Sequence, residues 1–80
     1  MEISRIDFYS GSKGEESPRK IYTSSGIIMV KKIIETKLEE DFYSKERKRV
    51  IIFQSQKKDF YQLSIYKGTF EIKQIEIRAN

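Results

Sequence analysis

The chain has 80 residues, with 16 Lys and Arg against 12 Asp and Glu, and it contains no cysteine, histidine or tryptophan. This length is enough for one small domain, so we expect a single domain over residues 1–80. The lack of Cys and His excludes disulfide bonds, zinc sites and catalysis by thiol or imidazole groups. We therefore expect no cofactor, no metal site and no enzymatic activity.

The apolar residues are dominated by isoleucine, which occurs 13 times, while Leu and Val occur twice each and Ala once. β-branched residues favour strands over helices. The longest uncharged run, residues 21–30, is far shorter than the roughly 20 apolar residues of a membrane span. The composition predicts an all-β, cytoplasmic protein without a membrane partner.

The pattern of residues 1–26 predicts two strands, a long loop between them and a tight turn. Ile6 and Phe8 alternate as in a half-buried strand, which we place over residues 1–9. The polar stretch from Ser10 to Arg19 holds two glycines and the only proline, a composition typical of loops. A short strand over residues 20–23 and a tight turn at residues 24–26 follow.

The segment from Ile27 to Leu38 is compatible with a helix or a strand. Its apolar residues Ile27, Val30, Ile34 and Leu38 step by three and four, as on one side of a helix. The pairs of Ile and Val favour a strand instead, with a bulge at Lys31 and Lys32 that shifts the alternation. The alternative is an α+β fold with a helix at 27–41.

The second half predicts three further strands after an acidic turn at residues 39–46. They cover residues 47–54, 60–66 and 69–78, and their connections have the length of hairpin loops. A change of phase in the last strand predicts another bulge, or a change of sheet, near Lys73 and Gln74. Together the elements predict a small, curled antiparallel meander or barrel of about six strands.

Positive charge is concentrated in two blocks, +4 over residues 19–37 and +5 over 47–58, separated by −3 over 38–46. Such blocks predict contacts with an anion or nucleic acid, with tyrosines as stacking platforms. Lysines at strand edges also prevent aggregation, and we favour this second explanation. The candidate contact residues are Lys31, Lys32, Arg47, Arg49, Lys57 and Lys58.

A pattern near the start of the chain can be written YSG-x-K-x-x-E-x-P-R; it falls on Tyr9, Ser10, Gly11, Lys13, Glu16, Pro18 and Arg19. It resembles a family of short, uncharacterised bacterial proteins described only as a domain of unknown function. The resemblance implies a small cytoplasmic β-rich protein and no activity. It also singles out a candidate loop site made of Tyr9, Lys13, Glu16 and Arg19.

The candidate loop site has two interpretations. It is either an internal clasp that holds the loop or an anion-recognition site. We favour the clasp, because Glu16 and Arg19 are close enough in sequence to pair.

These observations do not identify a biological role. We favour a non-enzymatic protein-interaction or accessory module, which binds a partner protein or a second copy through a strand edge or through the Ser10–Arg19 loop. The alternative is a small barrel that binds nucleic acid through the basic residues named above.

Overall fold

The structure, a computed structural model, describes residues 1–10 and 16–77, apart from the side chains of Ser10 and Glu16. The prediction of an all-β domain is confirmed, because every regular element of the described residues is a strand. The strands are β1 (Ile3–Ser10), β2 (Glu16–Thr23), β3 (Gly26–Glu40), β4 (Arg47–Ser55), β5 (Phe60–Tyr66) and β6 (Thr69–Ile75).

The six strands form one antiparallel sheet in the order β1-β2-β3-β4-β5-β6, which curls into a half-barrel. Each strand pairs with the strand that precedes it in the chain, so the topology is the predicted meander. The two outer strands, β1 and β6, approach within 8 Å between Cα atoms but are not neighbours in the hydrogen-bonded order. No helix in the described part of the chain is long and apolar enough to cross a membrane.

Two bulges explain the helix-like spacing of apolar residues in β3. The register with β4 shifts between Val30 and Lys32, as predicted, and again between Ile33 and Glu35. Each extra residue moves the following side chains to the other side of the strand. Ile28, Val30 and Ile33 therefore all reach the core, although they are not evenly spaced. The alternative of a helix at 27–41 is wrong.

The core lies on the concave side of the curled sheet, where alternate residues of neighbouring strands meet. Phe53 of β4 is fully buried, and its ring stacks on Tyr61 of β5 with 5.6 Å between centroids. Both rings thus join β4 to β5 through the core as well as through the backbone. The buried members of the cluster are Ile21, Ile28, Ile51, Phe53 and Leu63.

The prediction of a loop over Ser10–Arg19 is wrong for Ser10, which ends β1, and for residues 16–19, which begin β2, while residues 11–15 lie outside the described residues. Phe8 lies opposite Pro18, and Tyr9 lies opposite Ser17, so the first hairpin is longer than its composition indicates. The register shifts beside Pro18, and β2 pairs with β3 only from Lys20 onward. Proline is tolerated in strands at such bulges and wherever one edge is unpaired.

The bulge predicted near Lys73 and Gln74 is also wrong. The register of β5 with β6 is continuous from Tyr66 opposite Thr69 to Phe60 opposite Ile75. Ile75 differs in phase from Ile72 because it lies across from Phe60 on the other side of the sheet, where it is half-buried. The change of phase therefore marks an apolar residue on the outer side, and neither a bulge nor a change of sheet occurs there.

Candidate functional site

The long strand β3 changes neighbours along its length. Residues Gly26–Met29 pair with β2, whereas Val30–Glu40 pair with β4. From Lys31 to Glu40, no described strand lies on the side of β3 that points away from β4. We call this side of Lys31–Glu40 the open edge. Nine of its ten residues are exposed, and Ile33 is half-buried.

The hydrogen-bond pattern shows which backbone groups face outward at the open edge. Beyond the end of the strand, Asp41 N donates to Glu46 O at 2.8 Å, so this amide points toward β4. The register from Glu35 to Glu40 contains no shift, and antiparallel ladders direct alternate residues to opposite sides. Lys37 and Glu39 therefore face β4, while the N–H and C=O groups of Thr36, Leu38 and Glu40 point outward.

Two aromatic side chains stand on the turn that joins β3 to β4. Phe42 and Tyr43 are 87% and 94% exposed, and their rings meet edge to face at 5.6 Å. We call this pair the tip aromatics. Neither ring belongs to the core cluster, although rings of this size bury large apolar areas in folded domains.

The turn below the tip aromatics is held by local hydrogen bonds. Asp41 Oδ1 accepts from the backbone N–H groups of Tyr43 at 2.9 Å and of Ser44 at 3.2 Å. Lys45 has a φ of 57°, and its N–H donates to Asp41 O at 2.8 Å. The side chain of an aspartate at this position stabilises a tight turn. The tip aromatics are thus presented by a backbone that is already ordered.

A salt bridge ties this turn to the other hairpin on the same end of the sheet. Glu46 Oε1 lies 2.7 Å from Nζ of Lys67, which occupies the β5–β6 turn with a φ of 47°. This exposed ion pair contributes little stability, but it limits the orientations of the β3–β4 turn.

Further apolar side chains lie along the open edge. Ile34 is 44% exposed and Leu38 is 62% exposed. Together with the tip aromatics they are four exposed apolar side chains within residues 34–43, which we call the apolar strip, and exposed apolar groups of this kind are typical of interaction sites.

The charges along the open edge are ordered in sequence. The open edge begins with Lys31 and Lys32 and ends with Glu39 and Glu40. Lys37 Nζ and Glu39 Oε1 lie 3.8 Å apart, which places both side chains on the same side of the strand. The open edge is thus basic at one end and acidic at the other.

The six basic residues predicted as a contact site separate into two groups. Lys31 and Lys32 are next to the end of β4, where the turn that follows carries Lys57 and Lys58, and we call these four the lysine cluster. Arg47 and Arg49 lie at the opposite end of β4, about 25 Å away at ~3.3 Å per residue. Arg47 lies across from Glu40, so its charge has an acidic neighbour.

The candidate loop site is only partly described. The guanidinium carbon of Arg19 lies 5.3 Å from the centre of the Tyr9 ring, a cation–π contact that joins β1 to β2. Lys13 and the side chain of Glu16 lie outside the described residues. The two described members thus interact with each other, and the pairing of Glu16 with Arg19 stays a prediction.

An open cavity of about 450 Å³ lies on the outer side of the sheet next to the β3–β4 turn. Most of its lining residues are acidic, and the others include Lys48, Ser64 and Tyr66. Over residues 1–10 and 16–77, no three acidic side chains are grouped closely enough to hold a metal ion. The carboxylates are Glu39, Glu40, Asp41, Glu46 and Glu71.

Comparisons with protein-family models, with curated proteins and with solved structures found no match to this chain. The resemblance to the domain of unknown function therefore stays a prediction. The interpretation of the site depends on its geometry.

The tip aromatics were not recognised as a site from the sequence. The nucleic-acid interpretation uses the tyrosines only as stacking platforms, and the protein-interaction interpretation gives no position for the strand edge. The usable signal is a pair of aromatic residues inside the charged run EEDFYSKER, because aromatic residues outside any apolar alternation have no place in a core.

Proposed function

We propose that this protein is a non-enzymatic interaction module, which docks another polypeptide on the open edge of β3 and on the tip aromatics. One observation carries the proposal. Two almost fully exposed aromatic rings stand on a hydrogen-bonded turn, directly beside a ten-residue strand edge along which no described strand pairs.

The two parts supply different contributions to binding. An extended segment added to the open edge gains main-chain hydrogen bonds with Thr36, Leu38 and Glu40, as in other cases of strand addition. Aromatic residues dominate the energy of many interfaces, and the backbone around Phe42 and Tyr43 loses little conformational entropy on binding because the turn is already ordered. The open edge thus sets the orientation of the docked polypeptide, and the tip aromatics add apolar contacts with it.

Nucleic-acid binding is supported by fewer observations. The lysine cluster gathers four positive charges at one end of β4, but Arg47 lies at the other end, opposite Glu40. A single-stranded nucleic acid that contacted both the lysine cluster and Arg47 would pass the acidic end of the open edge, where carboxylates repel phosphate.

The proposal is tested with the double variant Phe42→Ser/Tyr43→Ser and the control Ile77→Ser, which removes an exposed apolar side chain beyond the end of β6. Each tagged protein is incubated with a nuclease-treated lysate of the source organism, and bound polypeptides are quantified by mass spectrometry. We expect a polypeptide, either foreign or an untagged copy of this chain, that binds the wild type and the control but not the double variant. Identical bound sets for all three proteins would contradict the proposal.

A further inference from the structure

We propose that the polypeptide docked on the open edge is a second copy of this chain, paired antiparallel through Thr36–Glu40 with Leu38 opposite Leu38 of the second copy. This inference rests on the proposed function and names its partner. It follows from symmetry, from the order of charges along β3 and from the position of the exposed apolar residues.

Symmetry limits the registers that two identical strands can adopt. A two-fold axis perpendicular to the sheet places one residue of β3 directly opposite its own copy. This central residue cannot be charged, because identical charges would then face each other and destabilise the cross-strand pair. The condition excludes Glu35, Lys37, Glu39 and Glu40. Within the regular part of β3, only Thr36 and Leu38 are left as centres.

The bulge at Ile34 decides between these two centres. A pair centred on Thr36 would have to continue through the bulged residue, where the ladder is interrupted. A pair centred on Leu38 uses only the regular segment Thr36–Glu40. In that register the outward N–H and C=O groups of Thr36 meet those of Glu40 of the second copy, and Leu38 meets its own copy.

The charges agree with the Leu38-centred register. It places Lys37 opposite Glu39 of the second copy, and symmetry makes the same contact twice. Both side chains already lie on one side of β3, as their 3.8 Å contact within the chain shows. Opposite charges on one side of an antiparallel pair stabilise it.

The same register covers the apolar strip. Leu38, which is 62% exposed in the single chain, packs against Leu38 of the second copy. Beyond the paired segment, Phe42 follows Glu40 at the end where Ile34 of the second copy precedes Thr36, so these two apolar side chains flank the interface. Asp41 and Glu35 lie outside the paired segment as well.

Cross-linking tests this register, because the chain has no cysteine of its own. In the proposed pair the Cα atoms at position 38 are about 5.5 Å apart, within the range of a disulfide bond. Those at position 36 are about 14 Å apart, at ~3.4 Å per residue along the strand. We expect Leu38→Cys to form a disulfide-linked dimer under mild oxidation and Thr36→Cys to stay monomeric.

Charge reversal tests the same pairing without a covalent bond. Lys37→Glu turns both symmetric contacts from attraction to repulsion, so we expect the dimer dissociation constant to rise about tenfold in sedimentation equilibrium. Lys73→Glu makes the same change of charge on the exposed part of β6, and we expect the wild-type dissociation constant.

Self-pairing is overturned if the wild type is monomeric at about 100 µM, or if Thr36→Cys cross-links and Leu38→Cys does not. The docking function still holds after such a result if the lysate experiment yields a foreign polypeptide whose binding requires Phe42 and Tyr43. If that dependence is also absent, the proposed function fails as well.

Discussion

Substitution of two phenylalanines of this domain by alanine is expected to change the free energy of unfolding by very different amounts. Phe53 is fully buried in the core and stacks on Tyr61, whereas Phe42 is 87% exposed at the tip of the β3–β4 hairpin. Phe53→Ala and Phe42→Ala remove the same atoms. The contrast between them therefore separates the part of the chain that maintains the fold from the part that we assign to docking.

The expected magnitudes follow from burial. Full burial of a Phe side chain contributes about 1.5–3 kcal/mol, so the roughly one-eighth of Phe42 that is covered accounts for about 0.2–0.4 kcal/mol. Phe53→Ala loses the full transfer energy and leaves a cavity, which costs about 3–5 kcal/mol. A domain of 80 residues has a free energy of unfolding of about 4–12 kcal/mol, so Phe53→Ala removes a large share of it.

Urea titration followed by circular dichroism measures both values. We expect the midpoint of Phe42→Ala to match the wild type and that of Phe53→Ala to fall steeply or to show an unfolded protein in buffer. If Phe42→Ala lowers the free energy of unfolding by more than about 1 kcal/mol, the tip supports the fold. If Phe53→Ala lowers it by less than about 1 kcal/mol, the core described above is refuted.

Three further predictions concern the turn, the pH dependence and the basic residues. Asp41→Ala removes the acceptor of two backbone N–H groups, and we expect a loss of about 0.5–1.5 kcal/mol in urea titration, whereas an unchanged midpoint would contradict an ordered turn. Burial raises the pKa of Tyr61, and Asp59 adds to the increase. Because the folded state then favours the neutral phenol, its contribution to stability is present below about pH 10 and is lost as pH rises through the raised pKa. Unfolding measured from pH 8 to 11 should therefore show a steeper alkaline decline for the wild type than for Tyr61→Phe, and equal declines would contradict the assigned cause. Fluorescence anisotropy with single-stranded DNA should show only weak binding, with a log–log salt slope of at most about 3 for the four lysines of the cluster; a steeper slope would favour the nucleic-acid alternative.

Much of the fold could be predicted because local patterns and tertiary contacts agree in most strands. β4 and β5 combine β-branched or aromatic residues with an alternation that the core confirms at Ile51, Phe53 and Leu63. Gly26 and Gly68 mark two of the hairpin turns with a positive φ, although Lys45, Lys58 and Lys67 adopt a positive φ in turns as well. These elements need no information beyond their own neighbourhood.

The errors arose where pairing overrides composition. Glu16–Arg19 is polar and contains Pro18, yet it extends β2 because β1 provides a partner for it. The second bulge of β3 at Ile34 depends on the path of β4, which no local pattern encodes. The open edge has the same origin, because it exists only where β3 leaves β2 and continues beside β4.

The candidate site could be predicted only in part. The sequence shows that Phe42 and Tyr43 stand among charged residues, but their exposure depends on how far the β3–β4 hairpin extends beyond the core. The lysine cluster likewise depends on the register, which brings Lys31 and Lys32 to the turn that carries Lys57 and Lys58. The distance of Arg47 and Arg49 from Lys57 and Lys58, in contrast, follows from the length of an extended strand over residues 47–54.

Residue-resolved amide hydrogen exchange by NMR tests the docking surface most directly. In a dilute sample, we expect the amides of Lys37 and Glu39, which face β4, to exchange slowly and those of Thr36, Leu38 and Glu40 to exchange fast. When a second copy or another docked polypeptide is present at saturating concentration, the outward amides should become protected. Outward amides that are already protected in the dilute sample, or that stay unprotected in the complex, would contradict the account.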